Sequence, residues 1–141
     1  MMDGKSGKAE RRRHLDAAVR KQTSVMVDNI LGRGLDIPLL GLREATREAG
    51  LWDQQEMFTD PAYEKLNRFQ LSTSQVPVSL DPSYMGYGAV VPDGYGVSYN
   101  PYPGSIIFCI CSFHSCGSTD SRMFSDQLAR SLGDMRQLFV K

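Results

Sequence analysis

The chain has 141 residues, 41% of them hydrophobic and 23% charged, proportions typical of one folded domain rather than a disordered or fibrous chain. Sixteen basic residues balance sixteen acidic ones, the apolar run over residues 106–111 is too short to cross a bilayer, and no signal-peptide pattern opens the sequence. Three cysteines are too few for a disulfide framework. We therefore expect a cytoplasmic protein with reduced thiols that binds neither nucleic acid nor membrane.

The first half of the chain is predicted to be mainly helical. Residues 1–9 are polar and contain glycine, so we expect a flexible tail before the structured part, residues 10–141. Apolar residues then recur at helical spacing and predict one long amphipathic helix, with Gly32 and Gly34 as its stop. The residues of this apolar stripe are Leu15, Val19, Val25 or Met26, and Ile30.

Two shorter helices are predicted to follow. One spans about residues 39–49, because Pro38 suits a first turn and Gly50 suits a helix end. Asp36 is the expected cap of this helix. The other spans about residues 61–67 and has the same order of acidic cap, proline and helix.

After Arg68, β-branched residues, aromatics, glycine and proline dominate, as is typical of strands. The predicted strands are Leu71–Val76, Gly88–Val91, Tyr95–Tyr99 and Ser105–Phe113. The turn Pro92-Asp93-Gly94 favours an antiparallel pair of the second and third strands. A last helix is predicted after Asp120, with a stripe of Phe124, Leu128, Leu132, Met135 and Phe139. Helices, then strands, then a helix predict the α+β class.

Three hydroxyls and an amide lie in a row on the first predicted strand. Because side chains alternate along a strand, Ser72 and Ser74 share one face, and Thr73 and Gln75 the other. Two hydroxyls on one face can bind a polar ligand or donate to a developing oxyanion. The plain alternative is an edge strand with a solvated polar face. A serine nucleophile is disfavoured, since no Gly-x-Ser-x-Gly elbow is present.

Four soft metal ligands fall within eight residues: Cys109, Cys111, His114 and Cys116. Their spacing matches no zinc motif, and Cys109 and Cys111 are explained as small buried hydrophobes of a strand. We therefore predict no metal site. His14 follows a run of three arginines and is interpreted as part of a solvated helix face, whereas His114 is interpreted as a hydrogen-bonded residue at a strand end.

Two motifs resemble the C-terminal part of the choline/carnitine O-acyltransferase family. They are Leu71-Ser72-Thr73-Ser74-Gln75-Val76-Pro77 and the stretch from Tyr87-Gly88-Ala89 through Pro92-Asp93-Gly94 to Asn100-Pro101. Segments around Asp36 and Asp134 resemble helices of the family, so the resemblance extends from about Ala17 to Leu138. It implies the C-terminal portion of a chloramphenicol-acetyltransferase-like, CoA-dependent acyltransferase domain with N-terminal helices, a mixed sheet and a C-terminal helix.

The resemblance also implies roles for four residues. Ser74 would donate to the tetrahedral oxyanion, and Ser72 would help to hold the alcohol substrate. The ring of Tyr87 would hold a quaternary ammonium group, and Gln75 would contact the CoA arm.

The catalytic histidine of the family lies upstream of these motifs, and neither His14 nor His114 matches it. We therefore expect a fragment without its general base, inactive alone and dependent on the missing upstream half. Two further departures from the family are Pro38, which stands where the family has a histidine, and the stretch 78–85, which is one residue longer.

The resemblance favours choline over carnitine as the alcohol. Leu31 stands before Gly32 where carnitine-using members have an arginine for the carboxylate, and Tyr87 is of the choline type. The expected function is acetyl transfer from acetyl-CoA, a cosubstrate, to choline, with no bound cofactor. A carnitine acyltransferase and a non-catalytic remnant that acts as a binding module stay open as alternatives.

Overall fold

The computed structural model describes residues 7–51, 56–75 and 84–140. These residues form two compact units, of which the second runs from Pro61 to Gly133 and the first comprises the described residues on either side of it. Of the tail expected over residues 1–9, residues 1–6 lie outside this description, and the first helix already begins at Lys8. No helix in the described ranges has the length and apolarity needed to span a membrane.

The first unit is helical. It contains α1 (Lys8–Ile30), α2 (Asp36–Glu48) and α3 (Glu56–Thr59). Gly32 and Gly50 have φ angles of 71° and 68°, a conformation that favours glycine, and so they end α1 and α2 as predicted.

Two expectations about these helices were wrong. No residue of α1 is buried, and Val19 in its predicted apolar stripe is 58% exposed, so the stripe does not face a core. Asp36 is the first residue of α2 rather than its cap; Leu35 holds the cap position and makes no side-chain capping bond. The short helix α3 was not predicted.

The second unit contains α4 (Pro61–Asn67), β1 (Leu71–Ser74), β2 (Tyr95–Pro101), β3 (Ile106–Cys111) and most of α5 (Ser121–Gln137). The strands form one sheet in the order β1-β2-β3. β1 runs parallel to β2, and β3 runs antiparallel to β2. Helices with a small mixed sheet agree with the predicted α+β class. The end of the first predicted strand, Val76, lies outside the described residues, as does most of the stretch 78–85.

The strand expected at Gly88–Val91 is absent, so the antiparallel pair predicted across Pro92-Asp93-Gly94 was wrong. β2 instead pairs antiparallel with β3 through a tight turn, in which the Tyr102 amide donates to the Ser105 carbonyl at 2.7 Å. The long connection from β1 to β2 is what allows those two strands to run parallel, because parallel neighbours need a crossover of a dozen or more residues.

The start of α5 was predicted correctly. An Asp120 side-chain oxygen accepts hydrogen bonds from the amides of Arg122 and Met123 at 2.8 and 2.9 Å, which satisfies two donors that the first helical turn leaves open. On the same helix the ring of Phe124 packs on that of Tyr95, with centroids 4.7 Å apart. This contact joins α5 to the sheet within the second unit.

Candidate active site

The sheet of the second unit has two chemically different faces, set by the register of its strands. Thr73 pairs with Val97, whereas Ser72 pairs with Gly96 and Ser74 with Ser98. We call the face with the serines the polar face; its residues are Ser72, Ser74, Gly96, Ser98, Asn100, Ile107, Cys109 and Cys111. The other, the apolar face, contains Leu71, Thr73, Tyr95, Val97, Tyr99 and Phe108. The predicted division of β1 between Ser72 with Ser74 and Thr73 is confirmed.

The backbone of residues 84–89, which we call the crossing segment, lies against the polar face. A side-chain carbon added at Gly96 would stand 2.6 Å from the carbonyl oxygens of Tyr87 and Gly88, so only glycine permits this approach. At Gly86 such a carbon would stand 2.8 Å from the sulfur of Cys109. Because Gly96 and Gly86 have no side chains, the backbone of the crossing segment can lie directly against β2 and β3.

Ser98 ties the crossing segment to the sheet. Its side chain is 2% exposed, and its hydroxyl donates to the carbonyl of Met85. A buried hydroxyl without a partner would be costly, so this bond both satisfies Ser98 and fixes the segment. Ser98 was not among the predicted site residues, although strand alternation puts it on the face opposite Val97 and Tyr99.

The hydroxyl of Tyr87 sits at the junction of β1 and β2. It donates to the Ser72 carbonyl at 2.7 Å and lies 3.2 Å from the Val97 carbonyl and 3.4 Å from the Ser72 hydroxyl. The first contact has the length of a good O–H···O bond, while the others are longer than usual. Tyr87 was predicted for its ring alone, and its hydroxyl contacts were missed.

The two serines of β1 differ in their hydrogen bonds. The Ser72 hydroxyl contacts that of Tyr87, whereas the Ser74 hydroxyl has no hydrogen-bond partner among the described residues. Both side chains are half-buried. Gln75 follows the last residue of β1 and is exposed. Of the predicted site residues, the structure therefore brings Ser72 and Tyr87 together, with Ser74 two residues along the same face.

The entry into β2 is tied to the residues before β1. Asp93 accepts hydrogen bonds from Arg68 at 2.7 Å and from Gln70 at 2.8 Å, and the Tyr95 amide donates to the Gln70 carbonyl at 2.7 Å. The bond from Gln70 makes the largest contribution to lowering the pKa of the Asp93 carboxyl, and the charge of Arg68 adds to it. This cluster fixes the start of β1 beside the start of β2.

The three cysteines are free thiols in different surroundings. The sulfurs of Cys109 and Cys111 lie 4.0 Å apart on the polar face, and burial, with Cys109 adding to it, raises the pKa of the Cys111 thiol. Cys116 lies 3.1 Å from the Ser118 hydroxyl, whose hydrogen bond lowers its pKa. No group of three or more His, Cys, Asp or Glu residues in the described ranges is placed to hold a metal ion.

Neither histidine forms a pair with the serines. His14 belongs to α1 in the first unit, is exposed and lies 3.9 Å from Glu10. His114 follows the end of β3, which is separated from β1 by β2, a distance of roughly 10 Å in strand spacings alone. No hydrogen bond in the described part of the chain joins His114 to Ser72 or Ser74.

The apolar face lies beside α5 and is partly open to solvent. Between it and α5 lies a cavity of about 380 Å³, lined by residues that include Thr73, Val97, Tyr99, Phe108, Phe124 and Leu128. Val97, at 4% exposure, is the most buried hydrophobic residue on this face. Val97, Phe124 and Leu128 contribute apolar packing to this face.

Among the described residues, the polar face therefore presents one hydroxyl without a hydrogen-bond partner, on Ser74, at the end of a strand that pairs with β2. A fixed hydroxyl donor can stabilise negative charge that develops on a reacting oxygen. It cannot act as a nucleophile without a base, and none of the described residues supplies one next to it. The geometry suits a reaction in which another group activates the attacking atom.

Comparison with known proteins gives one consistent family. The sequence profile described as choline/carnitine O-acyltransferase matches residues 1–130. Choline O-acetyltransferase of Drosophila melanogaster is 53% identical over 121 residues, which cover 86% of this chain and 16% of that protein. The human choline O-acetyltransferase is 49% identical over 124 residues, covering 88% and 16%. Carnitine O-acetyltransferase of Columba livia is 40% identical over 131 residues, covering 93% and 20%. The chain thus spans only about a sixth to a fifth of these relatives' length.

Proposed function

The chain belongs to the choline/carnitine O-acyltransferase family, and from this premise we propose that it supplies the transition-state-stabilising part of an acetyl-CoA:choline O-acetyltransferase site. The observation behind the proposal is the Ser74 hydroxyl, which is half-buried and unbonded among the described residues on a fixed strand. The remainder of the site belongs to the upstream part that the relatives have, including the general base. We propose the same for the fold: this chain completes a larger chloramphenicol-acetyltransferase-like domain.

In the proposed reaction the base takes the proton of the choline hydroxyl, and the oxygen attacks the carbonyl carbon of acetyl-CoA. The carbonyl oxygen becomes negatively charged, and the Ser74 hydroxyl donates a hydrogen bond to it. The intermediate then collapses: the carbon–sulfur bond breaks, and the CoA thiolate takes the proton from the base. The products are acetylcholine and CoA, and no cofactor takes part.

The other predicted residues have binding roles in this proposal. Ser72 helps to hold the alcohol, and the ring of Tyr87 faces its quaternary ammonium group, an attraction of about 1 kcal/mol at a partly exposed site. Gln75, exposed at the end of β1, contacts the CoA arm. The three free thiols are compatible with a reducing compartment, and we propose the cytoplasm.

Carnitine is the second candidate substrate, since the relative from Columba livia is named for it. Against it stands Leu31, which occupies the position where the resemblance expects an arginine, and an unmatched carboxylate would bind poorly. A non-catalytic binding module is the third candidate, because apolar side chains such as Ile30 and Ile37 are 78% and 81% exposed.

The test is an acetyl-transfer assay of the 141-residue chain, alone and fused to the upstream part of the Drosophila choline O-acetyltransferase, with choline and carnitine in parallel. The intact Drosophila enzyme is the positive control. We expect no activity from the chain alone and a higher kcat/KM for choline than for carnitine in the fusion. Activity of the chain alone would locate a base within it, and preference for carnitine would establish the second candidate. A folded but inactive fusion would favour the binding module.

A further inference from the structure

We propose that Tyr87 is a positioning residue, whose hydroxyl holds β1 against β2 and thereby fixes the donor position of Ser74. The effect on catalysis through Ser74 rests on the proposed function, whereas the holding of β1 against β2 does not. The role is distinct from that of the Tyr87 ring, which the resemblance assigns to substrate binding. We call the contacts of the Tyr87 hydroxyl with the carbonyls of Ser72 and Val97 the tyrosine latch.

The need for a latch follows from the weakness of β1. This strand has four residues, and within the described part of the chain β2 is its only strand neighbour. A short edge strand has few ladder bonds and opens at low free energy. The tyrosine latch adds a bond of 2.7 Å to the backbone of β1 and a contact of 3.2 Å to that of β2, so one hydroxyl spans the ladder between Ser72 and Val97.

The latch is useful only if Tyr87 itself is fixed, and three contacts fix it. Ser98 bonds the Met85 carbonyl, the backbone of Tyr87 and Gly88 rests on Gly96, and Gly86 lies against Cys109. All three anchors are on β2 or β3, so the hydroxyl transmits the position of these strands to β1. Ser98 is buried and directly follows Val97, whose carbonyl the tyrosine latch contacts.

Ser74 depends on this arrangement because no side-chain bond from the described residues holds it. Its hydroxyl has no partner among the described residues, so its place is set by the backbone of β1, two residues after the latched carbonyl of Ser72. A displacement of about 1 Å in a positioned group can reduce a rate by about 100-fold. Loss of the latch should therefore lower turnover while leaving the tyrosine ring, and ammonium binding by it, in place.

The first test is amide hydrogen exchange in the 141-residue chain, comparing Tyr87→Phe with the matched variant Tyr95→Phe. Both remove one phenolic oxygen, but that of Tyr95 accepts the Asp120 amide at 2.9 Å at the start of α5. We expect exchange over residues 71–75 to be about 2- to 10-fold faster in Tyr87→Phe only, the equivalent of one lost hydrogen bond, with exchange over residues 125–133 unchanged. Unchanged exchange over 71–75 overturns the latch. Equal acceleration of both regions also overturns it, since Tyr87 would then support overall stability.

The second test uses the fusion of this chain to the upstream part of the Drosophila choline O-acetyltransferase. Tyr87→Phe should lower kcat about 10-fold and change KM for choline by less than about 3-fold, because the ring is retained. An unchanged kcat in an active fusion contradicts the positioning role although the proposed function stands. If the fusion with the unmodified chain is inactive, the proposed function fails, and the exchange experiment alone decides the latch.

Discussion

The two faces of the β1-β2-β3 sheet are covered by opposite means, although neighbouring residues of β2 are almost equally buried on both. Val97 is 4% exposed and packs on the apolar face under α5, whereas Ser98 is 2% exposed and bonds the crossing segment on the polar face. Apolar packing tolerates small shifts, but hydrogen bonds require defined distances and angles. The polar face therefore holds backbone atoms in place, and of its hydroxyls that on Ser74 has no hydrogen-bond partner in the part of the chain that the structure describes.

The largest expected effect is on kcat, and it compares two adjacent residues of β1 whose side chains lie on opposite faces, Ser74 and Thr73. In the active fusion, Ser74→Ala should lower kcat about 100- to 1,000-fold, because it removes one donor to the oxyanion. Its free energy of unfolding should change by less than about 0.5 kcal/mol, since the hydroxyl has no partner to lose among the described residues.

Thr73→Val is the matched control, since it removes the hydroxyl of the next residue, which lines the cavity of the apolar face. We expect kcat within about 2-fold of the unmodified fusion, because the Thr73 side chain lies on the opposite face of β1 from the Ser74 hydroxyl. Steady-state kinetics and urea unfolding of both variants provide the comparison. Similar loss of kcat in both variants would mean that the two faces of β1 are not functionally distinct.

The second effect tests how closely the crossing segment approaches the sheet. Gly96→Ala places a carbon 2.6 Å from the carbonyl oxygens of Tyr87 and Gly88, and because these are backbone atoms the segment must move. We expect a loss of about 1–3 kcal/mol in the free energy of unfolding. Gly88→Ala, where the added carbon meets nothing within 4 Å, should change it by less than about 1 kcal/mol. Urea unfolding of the chain measures both, and equal values would show that the contact is loose.

The third effect concerns the apolar face. Val97→Ala removes two methyl groups from a side chain that is 4% exposed and should lower the free energy of unfolding by about 1–2 kcal/mol. Val90→Ala, at a side chain that is 60% exposed, should lower it by less than about 0.5 kcal/mol. In the fusion, the kcat of folded Val97→Ala should match that of the unmodified chain. A reduced kcat would indicate that the apolar face also positions Ser74.

The sequence predicts those parts of the structure that depend on residues close together in the chain. Gly32 and Gly50 end helices through a backbone conformation that other residues avoid, and Asp120 caps α5 through its own carboxylate. Alternation along β1 likewise put Ser72 and Ser74 on one face. Each of these features depends on residues only a few positions apart in the sequence.

The failures arise where distant residues decide. Gly88–Val91 has a composition suited to a strand, but its first two residues belong to the crossing segment, and the antiparallel partner of β2 is β3. The hydroxyl contacts of Tyr87 join residues fifteen and ten positions apart, which no local pattern predicts. Ser98 was within reach: Gly96, Ser98 and Asn100 alternate with Tyr95, Val97 and Tyr99, and small polar residues at every second position of a strand indicate a closely covered face.

The smallest expected effect is on the pH dependence of stability and concerns Asp93, which precedes β2 and belongs to neither face of the sheet. The pKa of Asp93 is lowered in the folded chain, with the largest contribution from the Gln70 bond and a smaller one from Arg68. The contribution of Asp93 to stability is therefore present above its ordinary pKa of 3.8 and is lost as the pH falls through the lower folded value. Asp93→Asn removes this dependence. The difference in unfolding free energy between the two chains should therefore shrink as the pH is lowered from 6 to about 3. Asp126→Asn, at an exposed position on α5, is the control. A difference that stays constant over this range would mean that the carboxylate charge does not join β1 to β2, and that the backbone bond from Tyr95 to Gln70 holds the two strand starts together alone.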